Sequence, residues 1–472
     1  MDMYAFYACV GLLSILFYFF WIRLNSKRSA TKLIPGWNKE PSDPVLGDLA
    51  VAMSAGSLHH YLAKQHKEGS SPVVSFWWRN KRVVSICSQK SFKDTENIYN
   101  RPAVIFAPCF DPLHGSNSIQ SVNGDEWKRQ GKMLRGTMRG DFLESFVPDL
   151  VVIAHETAKT WASGEPIHLL KSITRMTLKA ILMTSLGNIF ENDEGIDELA
   201  ALYHVCKCEM DKRVLDVPPP QSQREKDFQS NLKVLQGYLK QMMKARRSNL
   251  QSGRKSLPLM DALLNSGDPE ETIMSNVITF MGGFHTSGYF LTWTFYYLAL
   301  HPEIQDKIMK EIVGKEASGE KLKEYVMSSN SYLRQFLDEA IRVSTVTSFS
   351  AHCPDKDVVV DGYHIPANTP IIQSLGVAMH DPNVWDNPQK FDSDRFGPRS
   401  KHAKRGHEFR PFGVSTLRRC PANHFTYIMS SIYVVILLQR FEFSTKDTNL
   451  TKKYGIATSP GHEIDFQVKT RE

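Results

Sequence analysis

The sequence predicts a mainly α-helical protein with small β-sheets (α+β). Apolar residues recur at helical spacing from residue 125 to about residue 340. Two short segments outside this stretch alternate around tight turns, as β-hairpins do. The chain has 472 residues, 42% of them hydrophobic, which is enough for a large core. Because no Gly/Ser-rich linker or internal repeat interrupts it, we expect one large domain over residues 37–472.

The amino-terminal segment predicts a membrane anchor. Residues 3–22 contain no charged side chain, and twenty residues span a bilayer as a helix. The basic residues that follow this segment predict that the main domain faces the cytoplasm. A cleavable secretory signal is disfavoured, because it would carry its basic residues before a shorter apolar stretch. We therefore expect a transmembrane helix over residues 1–24 and a basic, Pro/Gly-containing hinge over residues 25–36.

The predicted strands form two hairpins. Residues 73–78 and 82–87 alternate around a turn at 79–81, and residues 358–365 surround an Asp-Gly turn. Residues 101–122 are rich in Pro, Asn and Ser and predict a loop. A second loop, at residues 217–221, separates two helical runs. For each loop, an ordinary surface connection without a role at a binding site is one interpretation.

Cys420 is the candidate metal ligand. It ends an aromatic and basic segment, residues 409–420, just before an apolar helical run over residues 424–438. The start of a helix stabilises a thiolate, and a thiolate behind a haem iron favours O–O cleavage. An inert buried cysteine is the alternative. The seven cysteines are scattered without a Cys-x-x-Cys pair, so neither a disulfide framework nor a zinc site is indicated.

A pair of charged residues on a predicted helix gives Cys420 a context. Glu339 and Arg342 are three residues apart and therefore share a helix face. Pairs at this spacing are usually solvated. Here a later segment places Arg395 before Phe396, and we expect Arg395 to complete a structural triad with Glu339 and Arg342.

These motifs, in this order, resemble the cytochrome P-450 superfamily of haem-thiolate monooxygenases. Its members carry a Glu-x-x-Arg helix, a Pro-Glu-Arg-Phe-like segment and a Phe-x-x-Gly loop that ends in the haem cysteine. The apolar run over residues 273–300, with Gly283 and Thr286, is similar to the oxygen-groove helix of that family. Short motifs at residues 56–60, 69–77 and 375–377 resemble the orphan family twenty of animals.

The resemblance implies the cytochrome P-450 fold, with haem b (iron protoporphyrin IX) held between a long distal helix and the proximal cysteine loop. Cys420 would be the iron ligand, and Phe412 would contact the cofactor from the same loop. Trp127, His352 and Arg418 would bind the haem propionates. For His352, which stands where the family has an arginine, an ordinary core or surface histidine is the alternative. Gly131 stands where the family has an arginine, and Lys128 or Lys132 would replace it.

Several positions depart from the family pattern. Gly413 precedes Cys420 by seven residues instead of six, and Thr416 and Ala422 stand where glycines are usual. These changes require a rearranged turn. On the distal helix Thr286 is retained, but His285 takes the place of an acidic residue. His285 either carries protons in its place, next to Thr286, or faces away from the site.

The resulting hypothesis is a monooxygenase of the endoplasmic reticulum, anchored by a single span, that oxidises an apolar small molecule. Electrons would come from NADPH through a flavin-containing cytochrome reductase, or from a cytochrome b-type donor. Lys128, Arg129, Lys132 and Arg135 would dock the reductase. The net charge of +7 suits anionic lipid or an acidic partner, and no nucleic-acid motif is present. A haem-thiolate isomerase or dehydratase and a non-catalytic haem-binding membrane protein are the alternatives.

Overall fold

The computed structural model describes residues 32–138, 140–249, 256–313 and 319–471. The predicted anchor at residues 1–24 and most of the predicted hinge lie outside these ranges. Within them, no helix combines the length and the apolar character that crossing a bilayer requires.

Helices form most of the described chain, as predicted. In chain order they are α1 Leu49–Ser54, α2 Leu58–Glu68, α3 Gln89–Thr95, α4 Ala103–Cys109, α5 Asp111–His114, α6 Gly124–Leu134, α7 Asp141–Ser145, α8 Val147–Trp161, α9 Leu169–Ile181, α10 Asp193–Arg213, α11 Gln223–Asn249, α12 Pro258–Leu264, α13 Glu270–Met281, α14 Gly283–Leu300, α15 Pro302–Ile312, α16 Glu320–Met327, α17 Tyr332–Ser344, α18 Leu375–Ala378 and α19 Asn423–Arg440. Short 3-10 turns cover Arg135–Met138 and Ser393–Phe396, and a π-helical turn covers Leu182–Leu186.

The strands form small sheets. They are β1 Val73–Trp78, β2 Lys81–Ile86, β3 Ser350–His352, β4 Val358–Val360, β5 Tyr363–Ile365, β6 Ile371–Gln373, β7 Phe441–Thr445, β8 Lys452–Lys453, β9 Ser459–Pro460 and β10 Phe466–Thr470. The largest sheet has the order β1-β2-β6-β3, with a parallel β2–β6 pair. Both predicted hairpins are confirmed, and Asp361 and Gly362 turn the second one with positive φ angles of 52° and 84°.

The core lies around α14 and α19, two helices that are buried along nearly their whole length. Almost every residue of α14 is buried, and residues 425–438 of α19 are buried without interruption. A helix that is hydrophobic all round must be covered by other elements on every side. The helix α9 packs along α14, and α8 packs along α19. This arrangement places the amino-terminal ends of α14 and α19, and the residues next to them, at the central cavity.

Two local predictions need correction. The segment predicted as a loop over residues 101–122 contains α4 and α5, because its apolar residues Ile105, Phe106 and Leu113 find a buried face. The apolar run over residues 273–300 is not one continuous helix. It breaks at Gly282, between α13 and α14, where the space beside the Gly282 backbone is filled by the Tyr203 side chain.

Candidate functional site

A cavity of about 420 Å³ is lined by the first turn of α14 and by the cysteine loop, which we define as residues 409–422. Seven of the predicted site residues line it: Trp127, His285, Thr286, His352, Phe412, Arg418 and Cys420. Lys128 and Lys132 do not. Most of the other lining side chains are aliphatic or aromatic, so the cavity is suited to an apolar molecule.

The cysteine loop folds back on itself to present Cys420. The Cys420 amide donates to the Phe412 carbonyl over 2.9 Å, and Gly413 makes the turn with a φ of +100°. Burial raises the pKa of the Cys420 thiol, and a hydrogen bond from the Ala422 amide opposes that rise. The helix α19 begins at Asn423, so Pro421 precedes the helix and does not occupy its first position.

The lost glycines of this loop have a structural explanation. Ala422 has a φ of −88°, and Thr416 is absent from the residues with positive φ, so neither position requires glycine. The Thr416 amide donates to the Glu96 carbonyl over 2.9 Å, and the Thr416 hydroxyl contacts Tyr99 and Asn97. The rearranged turn is therefore attached to the segment that follows α3.

The three residues of the predicted triad are in contact. Arg342 donates twice to the Glu339 carboxylate, at 2.7 and 2.8 Å, and Arg395 donates to it at 3.2 Å. Glu339 and Arg342 have no exposed side-chain surface. Arg342 also donates to the carbonyls of Met379 and Pro388. The triad thus ties α17 to the segment that leads into the cysteine loop.

Arg418 is a buried cation without a carboxylate partner among the described residues. Its guanidinium donates to four backbone carbonyls and to Asn123, and it lies 5.0 Å from the Trp127 ring centroid. Its buried Nε atom has no hydrogen-bond partner. Burial, together with the neighbouring charge of Arg101, lowers the pKa of Arg418 to about 8. An anion in the cavity would relieve both penalties.

Arg101 is a second buried cation, which the sequence analysis did not identify. It lines the cavity, its Nε is also without a partner, and burial lowers its pKa to about 10. Its Nη1 atom lies 3.2 Å from His352 Nε2, and His352 Nδ1 lies 3.1 Å from the Gln373 amide oxygen. His352 therefore accepts from Arg101 and donates to Gln373. In this arrangement it orients Arg101 and does not offer a donor to the cavity, which differs from the expected role.

Arg135 is the third cation at the cavity. It lies one turn beyond Gly131, and its guanidinium occupies the space beside that glycine. Lys128 instead points to solvent and pairs with Asp125, and Lys132 is exposed. Neither lysine replaces the missing arginine. The spacing of Trp127, Gly131 and Arg135, four residues apart on one helix face, was the available sequence signal for Arg135.

The distal wall contains Thr286 and His285. The Thr286 hydroxyl donates to the Gly283 carbonyl over 3.2 Å, within the first turn of α14. His285 is 4% exposed, and its Nε2 atom lies 2.9 Å from Nδ1 of His204 on α10. Burial, helped by the charge of Lys207, lowers the pKa of His285 well below its usual value. His285 thus lines the cavity but makes its hydrogen bond on the other side, towards α10.

The comparisons with known proteins agree with this geometry. The family model described as Cytochrome P450 matches residues 39–462. The chain belongs to the cytochrome P450 family. Cytochrome P450 20A1 of the mouse is 28% identical over 93% of both chains, and its human counterpart is 25% identical over 99% of both. These relatives confirm the expected likeness to family twenty.

Solved structures confirm the cytochrome P450 fold. The cytochrome P450DA heme domain superposes with a TM-score of 0.78 at 18% identity, covering 94% of this chain and 98% of that one. The retinoic acid bound cyanobacterial CYP120A1 gives a TM-score of 0.79 at 18% identity, covering 93% and 100%. By family, the protein is an oxidoreductase of the monooxygenase type.

The cytochrome P450 family implies haem, and the residues at the cavity fit it. A haem has two anionic propionates and an iron that needs an axial ligand. Four arginines line the cavity, Arg101, Arg135, Arg418 and Arg419, while no carboxylate of the described residues does. Two of these arginines have orphaned buried Nε atoms. The thiol of Cys420 is the soft ligand that iron accepts.

Proposed function

We propose that this protein is a membrane-bound haem-thiolate monooxygenase that inserts one atom of dioxygen into an apolar small molecule. The observation that carries the proposal is that Cys420 and Thr286, from two distant parts of the chain, line the same largely apolar cavity. When bound, haem supplies reductive activation of dioxygen. Cys420 would supply the thiolate that holds the haem iron, and the largely apolar cavity would enclose the substrate.

Within this proposal Arg101, Arg135 and Arg418 hold the propionates. Arg418 is oriented by backbone carbonyls and by Trp127, and Arg101 is oriented by His352. Phe412 packs beside Cys420 and stacks edge-on with Tyr427 of α19, at 5.4 Å between ring centroids. Glu339, Arg342 and Arg395 hold the segment that leads into the cysteine loop. Thr286 and His285 handle protons on the distal side.

Electrons come, in this proposal, from NADPH through a flavin reductase or from a cytochrome b-type donor. Lys128 and Lys132 are exposed on α6, and Arg419 is exposed next to Cys420. These cations suit an acidic donor protein. Arg129 is engaged with Glu126 and Asp268, and the Arg135 guanidinium is folded against Gly131 and only partly exposed, so neither belongs to the proposed docking surface. The uncharged segment at residues 3–22 supports single-pass anchoring in the endoplasmic reticulum.

The test is the difference spectrum of the ferrous carbonyl complex. Wild-type protein should show the strongly red-shifted Soret band of a thiolate ligand, and Cys420→Ala should lose it. Cys353→Ala, which removes another partly buried thiol, is the matched control and should leave the band unchanged. A histidine-like carbonyl spectrum in the wild type would contradict the assignment of Cys420 and with it the proposed function.

The absence of any carboxylate among the described lining residues favours one alternative, a haem-thiolate isomerase or dehydratase that acts on an already oxygenated substrate. Such chemistry requires no external electrons. Sustained, dioxygen-dependent NADPH oxidation by the wild type with a flavin reductase, lost in Cys420→Ala, would exclude this alternative. A thiolate spectrum without NADPH oxidation would favour it. Failure to retain stoichiometric haem would favour a protein without turnover.

A further inference from the structure

Two histidines from different helices join the cavity to the protein surface. Nδ1 of His204, on α10, lies 2.9 Å from Nε2 of His285, on α14. The two rings are stacked, with centroids 5.2 Å apart and planes inclined by 15°. His204 is exposed, whereas His285 is buried and lines the cavity beside Thr286. The pair therefore has one end in solvent and the other at the distal site.

The inner end of this pair has an unused hydrogen-bonding atom. Nδ1 of His285 is buried and has no partner among the described residues. The ring is held by aromatic neighbours, with Tyr289 edge-on at 4.5 Å and Phe284 edge-on at 5.6 Å between centroids. Buried polar atoms in native proteins are nearly always satisfied. Because His285 itself lines the cavity, we expect the missing partner of this nitrogen to come from the cavity side.

The outer end of the pair is open to exchange. The thiol of Cys208, one turn further along α10, lies 3.3 Å from Nε2 of His204. Burial raises the pKa of Cys208, so it remains a neutral thiol that donates to this nitrogen. Lys207, which also lines the cavity, is held by its ion pair with Asp211 and lies 5.2 Å from the Tyr289 ring centroid. Burial and the charge of Lys207 lower the pKa values of both histidines. Each neutral ring then has one donor and one acceptor nitrogen.

We propose that His204 and His285 form a proton path from solvent to the distal site beside Thr286. This inference rests on the proposed monooxygenase function. Water replaces the Cys208 thiol as the partner of His204 Nε2. A proton from that water binds to His204 Nε2 as the His204 Nδ1 proton moves to His285 Nε2. The proton on His285 Nδ1 then leaves into the cavity. One proton enters the pair and one proton leaves it. Both rings end in the other neutral tautomer, and rotation of the rings restores the original tautomer.

The test separates reactions that need protons from solvent from those that do not. Oxidation of NADPH through the reductase consumes protons from water, whereas oxidation of a reporter dye by cumene hydroperoxide does not need this path. His204→Gln and His285→Gln keep a polar side chain that cannot relay a proton by tautomer exchange. We expect each to lower the NADPH-driven rate about 10- to 100-fold and to change its solvent isotope effect. The hydroperoxide-driven rate should stay within about twofold of wild type.

The controls separate proton transfer from structure. Tyr289→Phe keeps the packing against His285 and should retain both rates. If the histidine variants keep the wild-type NADPH-driven rate and isotope effect, the proton path is refuted. A parallel loss of both rates would also refute it, because it would show that the histidines only support the fold. If wild-type protein with a thiolate carbonyl spectrum fails to oxidise NADPH, the monooxygenase function itself fails.

Discussion

The Nη1 atom of Arg135 lies 2.7 Å from the point that a Cβ atom on Gly131 would occupy. Any side chain at residue 131 would therefore compete with the Arg135 guanidinium for the same space. In the family pattern an arginine stands four residues after the tryptophan that corresponds to Trp127. Here the glycine at that position allows the arginine one turn later to fold back towards the cavity. We infer that Arg135, in the 3-10 turn that follows α6, takes the place of the missing arginine.

This relocation predicts a compensating pair of substitutions. Arg135→Ala should weaken haem retention about 10-fold or more, since it removes one charge-assisted contact to a propionate. Gly131→Arg alone should also weaken it, because two guanidinium groups would crowd one space. The double variant Gly131→Arg/Arg135→Ala should recover most of the loss. The measurement is the haem dissociation rate, followed by transfer to an apoprotein acceptor.

Lys128 provides the matched control for that cycle. It lies on the same helix as Gly131 but is exposed and paired with Asp125, so Lys128→Ala should leave haem dissociation unchanged. If Arg135→Ala and Lys128→Ala raise the haem dissociation rate equally, overall charge, and not the position of Arg135, governs haem retention.

The turn of the cysteine loop gives a second prediction. Gly413 has a φ of +100°, a region that residues with a Cβ atom rarely adopt. Gly413→Ala should therefore strain the loop by about 1–3 kcal/mol and broaden or shift the carbonyl Soret band. Ala422→Gly is the control, since Ala422 has an ordinary φ of −88° and glycine is not required there. A normal band in Gly413→Ala would contradict the assigned role of this glycine.

The parts of the site that short motifs encode were predictable. Glu339, Arg342 and Arg395 are recognisable because their order and spacing are distinctive, and the structure places them in contact. The position of Cys420 before a buried helix was predictable for the same reason. The two hairpins were predictable because their turns are locally encoded.

The remaining features depend on tertiary contacts that no local pattern shows. Arg101 belongs to the cation cluster because β3 places His352 against it. His204 was missed because its partner, His285, is 81 residues away in the chain. Lys128 and Lys132 were wrongly expected at the cavity, since α6 turns Arg135 to that side. Membrane attachment and the electron donor stay predictions.

The buried triad gives a third prediction. Glu339→Gln removes the counter-charge of two buried guanidinium groups, and breaking a buried ion pair in this way costs about 3–5 kcal/mol. We expect a clear fall in the thermal unfolding temperature. Glu303→Gln, which removes a surface carboxylate next to His301, should change stability by about 1 kcal/mol or less. Similar small shifts in both variants would show that the triad is not a main support of the fold.

The pH dependence of stability gives a fourth prediction, at His66. Its ring nitrogens bond to the Ser71 carbonyl and the Ser85 hydroxyl, at 2.9 and 2.8 Å. Burial lowers its pKa from 6.5 to about 4, although the bond to Ser71 opposes this. Between pH 4 and pH 6.5 the His66 ring therefore binds a proton more readily in the unfolded chain than in the folded protein. The stability from neutral His66 is therefore full above about pH 6.5 and is lost as the pH falls towards 4.

Between pH 7 and pH 5 this loss should amount to about 2 kcal/mol in the free energy of unfolding. The variant His66→Gln has no titratable side chain at this position. Between pH 7 and pH 5 its free energy of unfolding should therefore fall by about 2 kcal/mol less than that of the wild type. Because other buried histidines contribute in both proteins, the quantity to compare is the difference between their slopes in denaturant titrations. Equal slopes in wild type and His66→Gln would show that His66 does not titrate on unfolding, contrary to its burial.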